Sequence, residues 1–97
     1  MLILGENIAM KNITKYEDKL NVLGSIVREY REIRNLSQKQ LSDKLLLLGI
    51  DIPKNSIQRL EAGERTIRDY ELAGISIALG VPPTKLLQPF IDILKQN

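Results

Sequence analysis

Apolar residues recur at three- and four-residue intervals along most of this chain, the spacing that lines one face of an α-helix, and no segment convincingly shows the two-residue alternation of a strand. Leu23, Ile26, Val27, Tyr30 and Ile33 form the first such series and predict a helix from residue 21 or 23 to 35. Ser37 followed three residues later by Gln40 has the form of a capping box, in which each side chain satisfies a backbone N–H of the other residue. A second helix is therefore expected to start at Ser37, to carry Leu41, Leu45 and Leu48 on one face, and to stop at Gly49. Pro53 suits the first turn of a third helix, where its missing N–H costs nothing, with Ile57 and Leu60 turned inward and Gly63 as the stop. A fourth helix is predicted over 69–79, with Leu72, Ile75 and Leu79 inside and Gly80 ending it. A fifth begins near Pro83 and carries Leu86 and Leu87, and Pro89 either interrupts it or opens a final short helix with Phe90, Ile91, Ile93 and Leu94.

Composition narrows what such a bundle can do. At 97 residues, 43% of them hydrophobic, the chain can build one core and has no room for a second domain of ordinary size. Without cysteine it forms no disulfide and offers no thiol, and without histidine it lacks the usual general base and the commonest metal ligand. No nucleophile–base set, phosphate-cradling glycine loop or metal cluster is legible, so neither an enzyme nor a bound metal or cofactor is expected. No run approaches the roughly 18 apolar residues needed to span a bilayer, and Met1-Leu2-Ile3-Leu4 reaches Gly5-Glu6-Asn7 too soon for a secretory signal. A cytoplasmic protein without membrane association is the expectation.

Net charge is only +2, so its distribution matters more than its sum. Residues 28–68 hold nine basic side chains against six acidic ones, while 1–27 balance at three each and 69–97 hold two basic and three acidic. The positive excess coincides with residues 36–63. There, two short amphipathic helices hinge near Gly49, and the second is studded with side chains able to hydrogen-bond base edges. That is what a helix-turn-helix reader of the DNA major groove requires, although a mixed-sign solvated surface would account for so small an excess equally well.

The chain also resembles a known family, the phage-repressor-like (Cro/C1 or XRE type) helix-turn-helix domain. The resemblance covers about 23–87: Leu23-Gly24, Val27 and Arg31, Leu36-Ser37-Gln38 and Leu41, Ser56-Ile57, Glu61-Ala62-Gly63, Ala78-Leu79-Gly80-Val81, and Leu86-Leu87. It implies an all-α, compact five-helix lambda-repressor-like domain, here over 21–88, with an N-terminal extension (1–20) and a C-terminal helical extension (89–97). It implies further that the third helix, at about 53–62, lies in the major groove, commonly as a homodimer on a roughly palindromic operator in double-stranded DNA. The function expected is a sequence-specific transcriptional regulator, a repressor, controlled by a protein partner, proteolysis or concentration. The alternative is a protein-interaction module, an antitoxin or adaptor built on the same fold.

Within that frame particular residues acquire roles. Asn and Gln can pair bidentately with adenine, and Arg or Lys with guanine, so Lys54, Asn55, Gln58 and Arg59 are the candidate base readers. Arg59 could equally reach a phosphate or a neighbouring carboxylate. Gln38 sits in the first turn of the second helix, where free N–H groups and the positive helix end gather and where such domains contact a phosphate. Lys39, Ser56, Arg65 and Arg68 are assigned to phosphates with it, the last two because backbone phosphates run past the loop after the third helix in this family. Arg31 and Glu61 are implied by the resemblance to tie the first helix to the end of the third as an ion pair.

The turn departs from the family pattern, because about five extra residues separate the Ser-Gln pair from the glutamate. The excess falls on Leu45-Leu46-Leu47-Leu48 and Ile50-Asp51-Ile52-Pro53, which predicts a longer second helix and a looser bend. Pro53 stands where a Ser or Thr would ordinarily cap the third helix, so the cap is expected at Asp51 or Ile52. Leu46 and Leu47 are expected to be covered by Ile50 and Ile52, the other reading being a protein contact. Residues 1–20 read as a DNA-gripping arm, a dimer-forming segment or a disordered lead, with Met10 an alternative start. Phe90, Ile91, Ile93 and Leu94 read as core or as a dimer seam.

Overall fold

Five helices make up the regular structure among residues 18–96, the part of the chain that the computed structural model describes: α1 (Gly24–Ile33), α2 (Gln38–Leu47), α3 (Lys54–Glu61), α4 (Asp69–Leu79) and α5 (Pro83–Lys95). No strand occurs among the described residues, so the fold is all-α. Readings of residues 1–17, including the start at Met10, fall outside them.

Local chemistry sets most boundaries. Ser37 caps α2, its Oγ accepting from the Gln40 N–H at 3.0 Å while the Ser37 N–H donates to Gln40 Oε1 at 2.8 Å. Asn21 caps α1 through Oδ1, which accepts from the N–H groups of Leu23 and Gly24. At the far end of α4, Arg34 of the segment following α1 donates from Nε to the Leu79 carbonyl at 2.8 Å, a cation placed on the negative end of a helix. Gly63 and Gly80 follow α3 and α4 with positive φ, which a residue with a Cβ adopts only under strain.

The core gathers one stripe from each helix. Val27, Leu41, Leu45, Ile57, Leu60, Ile75 and Leu86 are fully buried, with Ile52 from the turn among them. α3 packs against α1 and α2, α2 and α5 pack against α4, and α4 also meets α1. Gly24 lets α1 approach the end of α3 closely, since a Cβ there would collide with the Leu60 carbonyl oxygen. Among the described residues no buried side-chain polar atom lacks a hydrogen-bond partner.

Several expectations need correction. α2 ends at Leu47, short of the stop expected at Gly49, so the turn runs over 48–53, and Leu48 leaves the inward stripe to stand 45% exposed. Leu46 and Leu47 are not covered: Ile52 is spent in the core and Ile50 reaches toward Gly74 of α4, leaving the two leucines 59% and 87% exposed. α3 has no cap at Asp51 or Ile52; extended Pro53 precedes the helix without a side-chain cap, outside the first turn it was expected to occupy. Pro89 neither breaks nor starts a helix, because it sits within continuous α5 on an exposed side, where the bond it cannot make to Lys85 is replaceable by water. Ile33 also turns outward.

Candidate nucleic-acid interface

α3 is amphipathic in a way that leaves its polar side unspent. Ile57, Leu60 and Glu61 are buried, whereas Lys54, Asn55, Gln58 and Arg59, at positions i, i+1, i+4 and i+5, share the opposite exposed side. No side chain caps the helix at Pro53, so its first N–H groups keep their positive end open on the same side as Lys54 and Asn55. Arg59 donates from Nη2 to the Glu64 carbonyl at 3.3 Å, and Ser56 is half-buried beside Asn55. The helix thus presents two amide side chains and two cations on a rigid element whose other face is anchored in the core.

Two arginine–glutamate pairs brace this helix and the loop that follows it. Arg31 grips Glu61 with two hydrogen bonds, Nε to Oε2 at 2.7 Å and Nη2 to Oε1 at 3.0 Å, and sends Nη1 to the Leu36 carbonyl at 2.7 Å. The carboxylate raises the Arg31 pKa through those hydrogen bonds, against the opposing effect of burial. Gln38 joins the same carboxylate, donating from Nε2 to Glu61 Oε1 at 3.0 Å. One glutamate at the end of α3 is therefore held by α1 and by the first turn of α2.

The second pair joins Arg65 to Glu71 end-on, Nη1 to Oε1 and Nη2 to Oε2, both at 2.9 Å. Glu71 also accepts the backbone N–H of Arg68 at 2.9 Å, and Arg68 Nη1 lies 3.6 Å from it. These bonds, the Arg65 pair first, hold the Glu71 carboxyl below the ordinary carboxylate value even though burial pushes it up. The Arg65 side chain is only 17% exposed, so the structure does not display it to a phosphate as the sequence reading required. Arg68, by contrast, is 61% exposed.

The remaining candidates divide similarly. Lys39 is exposed and shares its ammonium with Asp43, four residues on, at 3.0 Å. Gln38 stands half-buried at the start of α2, with one amide N–H on Glu61. Sequence reasoning missed Glu71 and Asn21. Glu71 occupies the third position of α4, where a glutamate turning back to the preceding backbone N–H is a known start signal. Asn21 donates from Nδ2 to the carbonyls of Leu60 at 3.0 Å and Arg65 at 2.7 Å, and nothing in its spacing announces partners some forty residues away.

A family model described as Helix-turn-helix, of the Cro/C1 (XRE) type, matches residues 27–86, which is more than half of the chain. The chain belongs to that family. No curated protein and no solved structure matches it significantly. No helix among the described residues is long and apolar enough to cross a membrane.

Proposed function

Because this chain belongs to a family of DNA-binding helix-turn-helix regulators, we propose that it reads double-stranded DNA sequence-specifically by placing α3 in the major groove, and that it acts as a repressor. The observation that carries the reading is the exposed side of α3, where Lys54, Asn55, Gln58 and Arg59 stand together over a buried Ile57–Leu60 face. Asn55 and Gln58 match the edge of adenine, Lys54 matches guanine, and Arg59 adds charge at the groove wall. Gln38, Lys39, Ser56 and Arg68 supply phosphate contacts that set register without reading sequence. A homodimer would bring two α3 helices to successive major-groove faces about 34 Å apart and bind a roughly palindromic site.

Selection of bound duplexes from a random pool by the full chain tests this directly. A two-fold-symmetric motif is expected. On that motif, Asn55→Ala with Gln58→Ala should reduce discrimination against mismatched sites by about tenfold or more, while the salt dependence set by phosphate contacts stays nearly unchanged. An unchanged site preference would displace the readers from these positions. A specific feature favours a second reading, a protein-interaction module: Leu47 is 87% exposed and Leu46 59%. Such a module would keep its partner after Lys54, Gln58 and Arg59 are neutralised, and a DNA reader would not keep its operator.

A further inference from the structure

The loop between α3 and α4 is pinned to an extent that its length does not require. Leu20 donates its N–H to the Gly63 carbonyl at 2.7 Å, and Lys19 Nζ lies 3.3 Å from the Ala62 carbonyl. Asn21 takes the Leu60 and Arg65 carbonyls. Arg65 is thus held at both ends, by its carbonyl on Asn21 and by its guanidinium on Glu71, and Nη1 also donates to the Thr66 carbonyl at 2.9 Å. Glu71 is 2% exposed and has a third bond, from the backbone N–H of Arg68. The same carboxylate that neutralises Arg65 therefore sets the backbone position of Arg68, the arginine whose side chain stays exposed.

We propose that Arg65 and Glu71 are positioning residues for DNA binding, a clamp that fixes the loop after the recognition helix so that Arg68, and not Arg65, meets a backbone phosphate. This rests on the DNA-binding reading above. The physical case is one of charge and of shape. With its guanidinium matched end-on to a carboxylate, Arg65 presents no net charge to a polyanion, whereas Arg68 lies 3.6 Å from the same group and projects into solvent. An end-on pair uses the planar fork of arginine, which the ammonium of lysine does not reproduce. A loop held in place meets the phosphate without an ordering cost at the moment of binding.

The expected effect of removing the Glu71 charge is unusual in sign. Removing an acidic residue near DNA ordinarily tightens binding, because it raises the positive potential. Here Glu71→Gln, which keeps the shape and removes the charge, is expected to weaken binding to the duplex the wild-type chain selects. The loss should be about tenfold, the usual scale for disturbing a charge-paired network. Arg65→Lys, which keeps the charge, should weaken binding equally, and the double variant should be no worse than either single one. Arg68→Ala should flatten the dependence of log K on log salt by about 0.9, the share of one phosphate.

Affinities are read at a temperature where circular dichroism shows each full-length variant folded; if Glu71→Gln fails to fold, Arg65→Lys decides alone. Glu71→Gln binding as well as or better than wild type overturns the clamp, as does Arg65→Lys binding normally, since a plain phosphate contact would accept either cation. A pair that serves folding alone would lower the melting temperature and leave the affinity of folded protein unchanged, which also overturns it. If the wild-type chain selects no duplex at all, the DNA-binding reading falls and takes the clamp with it. Equal binding of variants and wild type on a selected duplex defeats the clamp only.

Discussion

Arg31–Glu61 and Arg65–Glu71 use the same chemistry over different spans of chain. The first joins residues thirty apart and ties α1 to the end of α3; the second joins residues six apart and closes a loop onto the helix that follows it. Both carboxylates are almost wholly buried, at 3% side-chain exposure each, but their surroundings differ. Among the described residues the donors to Glu61 are side chains, those of Arg31 and Gln38, whereas Glu71 accepts from Arg65 and from the backbone N–H at the start of α4. The long-span pair sets where α3 lies in the fold. The short-span pair sets where the chain goes once that helix ends.

If burial and span decide the strength of these pairs, Glu61→Ala is the most damaging change, because it leaves the Arg31 guanidinium buried without its partner. A loss of about 3 kcal/mol is expected, with a fall in melting temperature on the order of 10 °C or more. Replacing both partners by apolar residues, Arg31→Met with Glu61→Leu, should recover most of it in a thermal melt. A double variant as unstable as the single one would mean that the pair's own attraction, and not the stranded charge, is what α1 and α3 need.

Acid acts on the Glu71 pair. The hydrogen bonds from Arg65 depress the Glu71 pKa in the folded protein below its ordinary value of 4.5, so this group contributes stability fully above that pH. The contribution is lost as pH falls through the depressed folded value. Urea midpoints at about pH 7 and about pH 3 should therefore show Glu71→Gln clearly less stable than wild type at the first and the gap narrowed at the second. A gap that does not narrow would remove Glu71 from the acid response. The smallest effect is expected on the surface, where Arg28 and Glu32 pair at 3.3 Å with both side chains more than half exposed. Arg28→Ala should change stability by less than about 0.5 kcal/mol, and a larger loss would show that burial does not distinguish these pairs.

Much of the fold was legible in residues whose message is local. The Ser37–Gln40 box starts α2 where expected, Gly63 and Gly80 follow α3 and α4, and α4 spans the predicted 69–79. The exposed grouping of Lys54, Asn55, Gln58 and Arg59 follows from the same logic, because the inward positions of Ile57 and Leu60 leave it only one side to occupy. Arg65 was harder to read. Its neighbours in sequence look like those of a phosphate contact, and the carboxylate that takes it was not singled out.

By itself, then, the sequence determined the start of α2, the span of α4, the glycine stops after α3 and α4 and which side of α3 faces away from the core, since caps, glycine stops and apolar periodicity act within a turn or two of chain. Tertiary structure decided which of two nearby arginines is spent inside and which stays outside, and which leucines of the run 45–48 are covered. Those outcomes depend on what approaches in space: Asn21 crossing to the Arg65 carbonyl, Glu71 folding back to its guanidinium, and Ile50 reaching Gly74 of α4. The free energy of a charge or an apolar side chain is set by its surroundings in space, and in a helical bundle those are supplied largely by other elements of the fold.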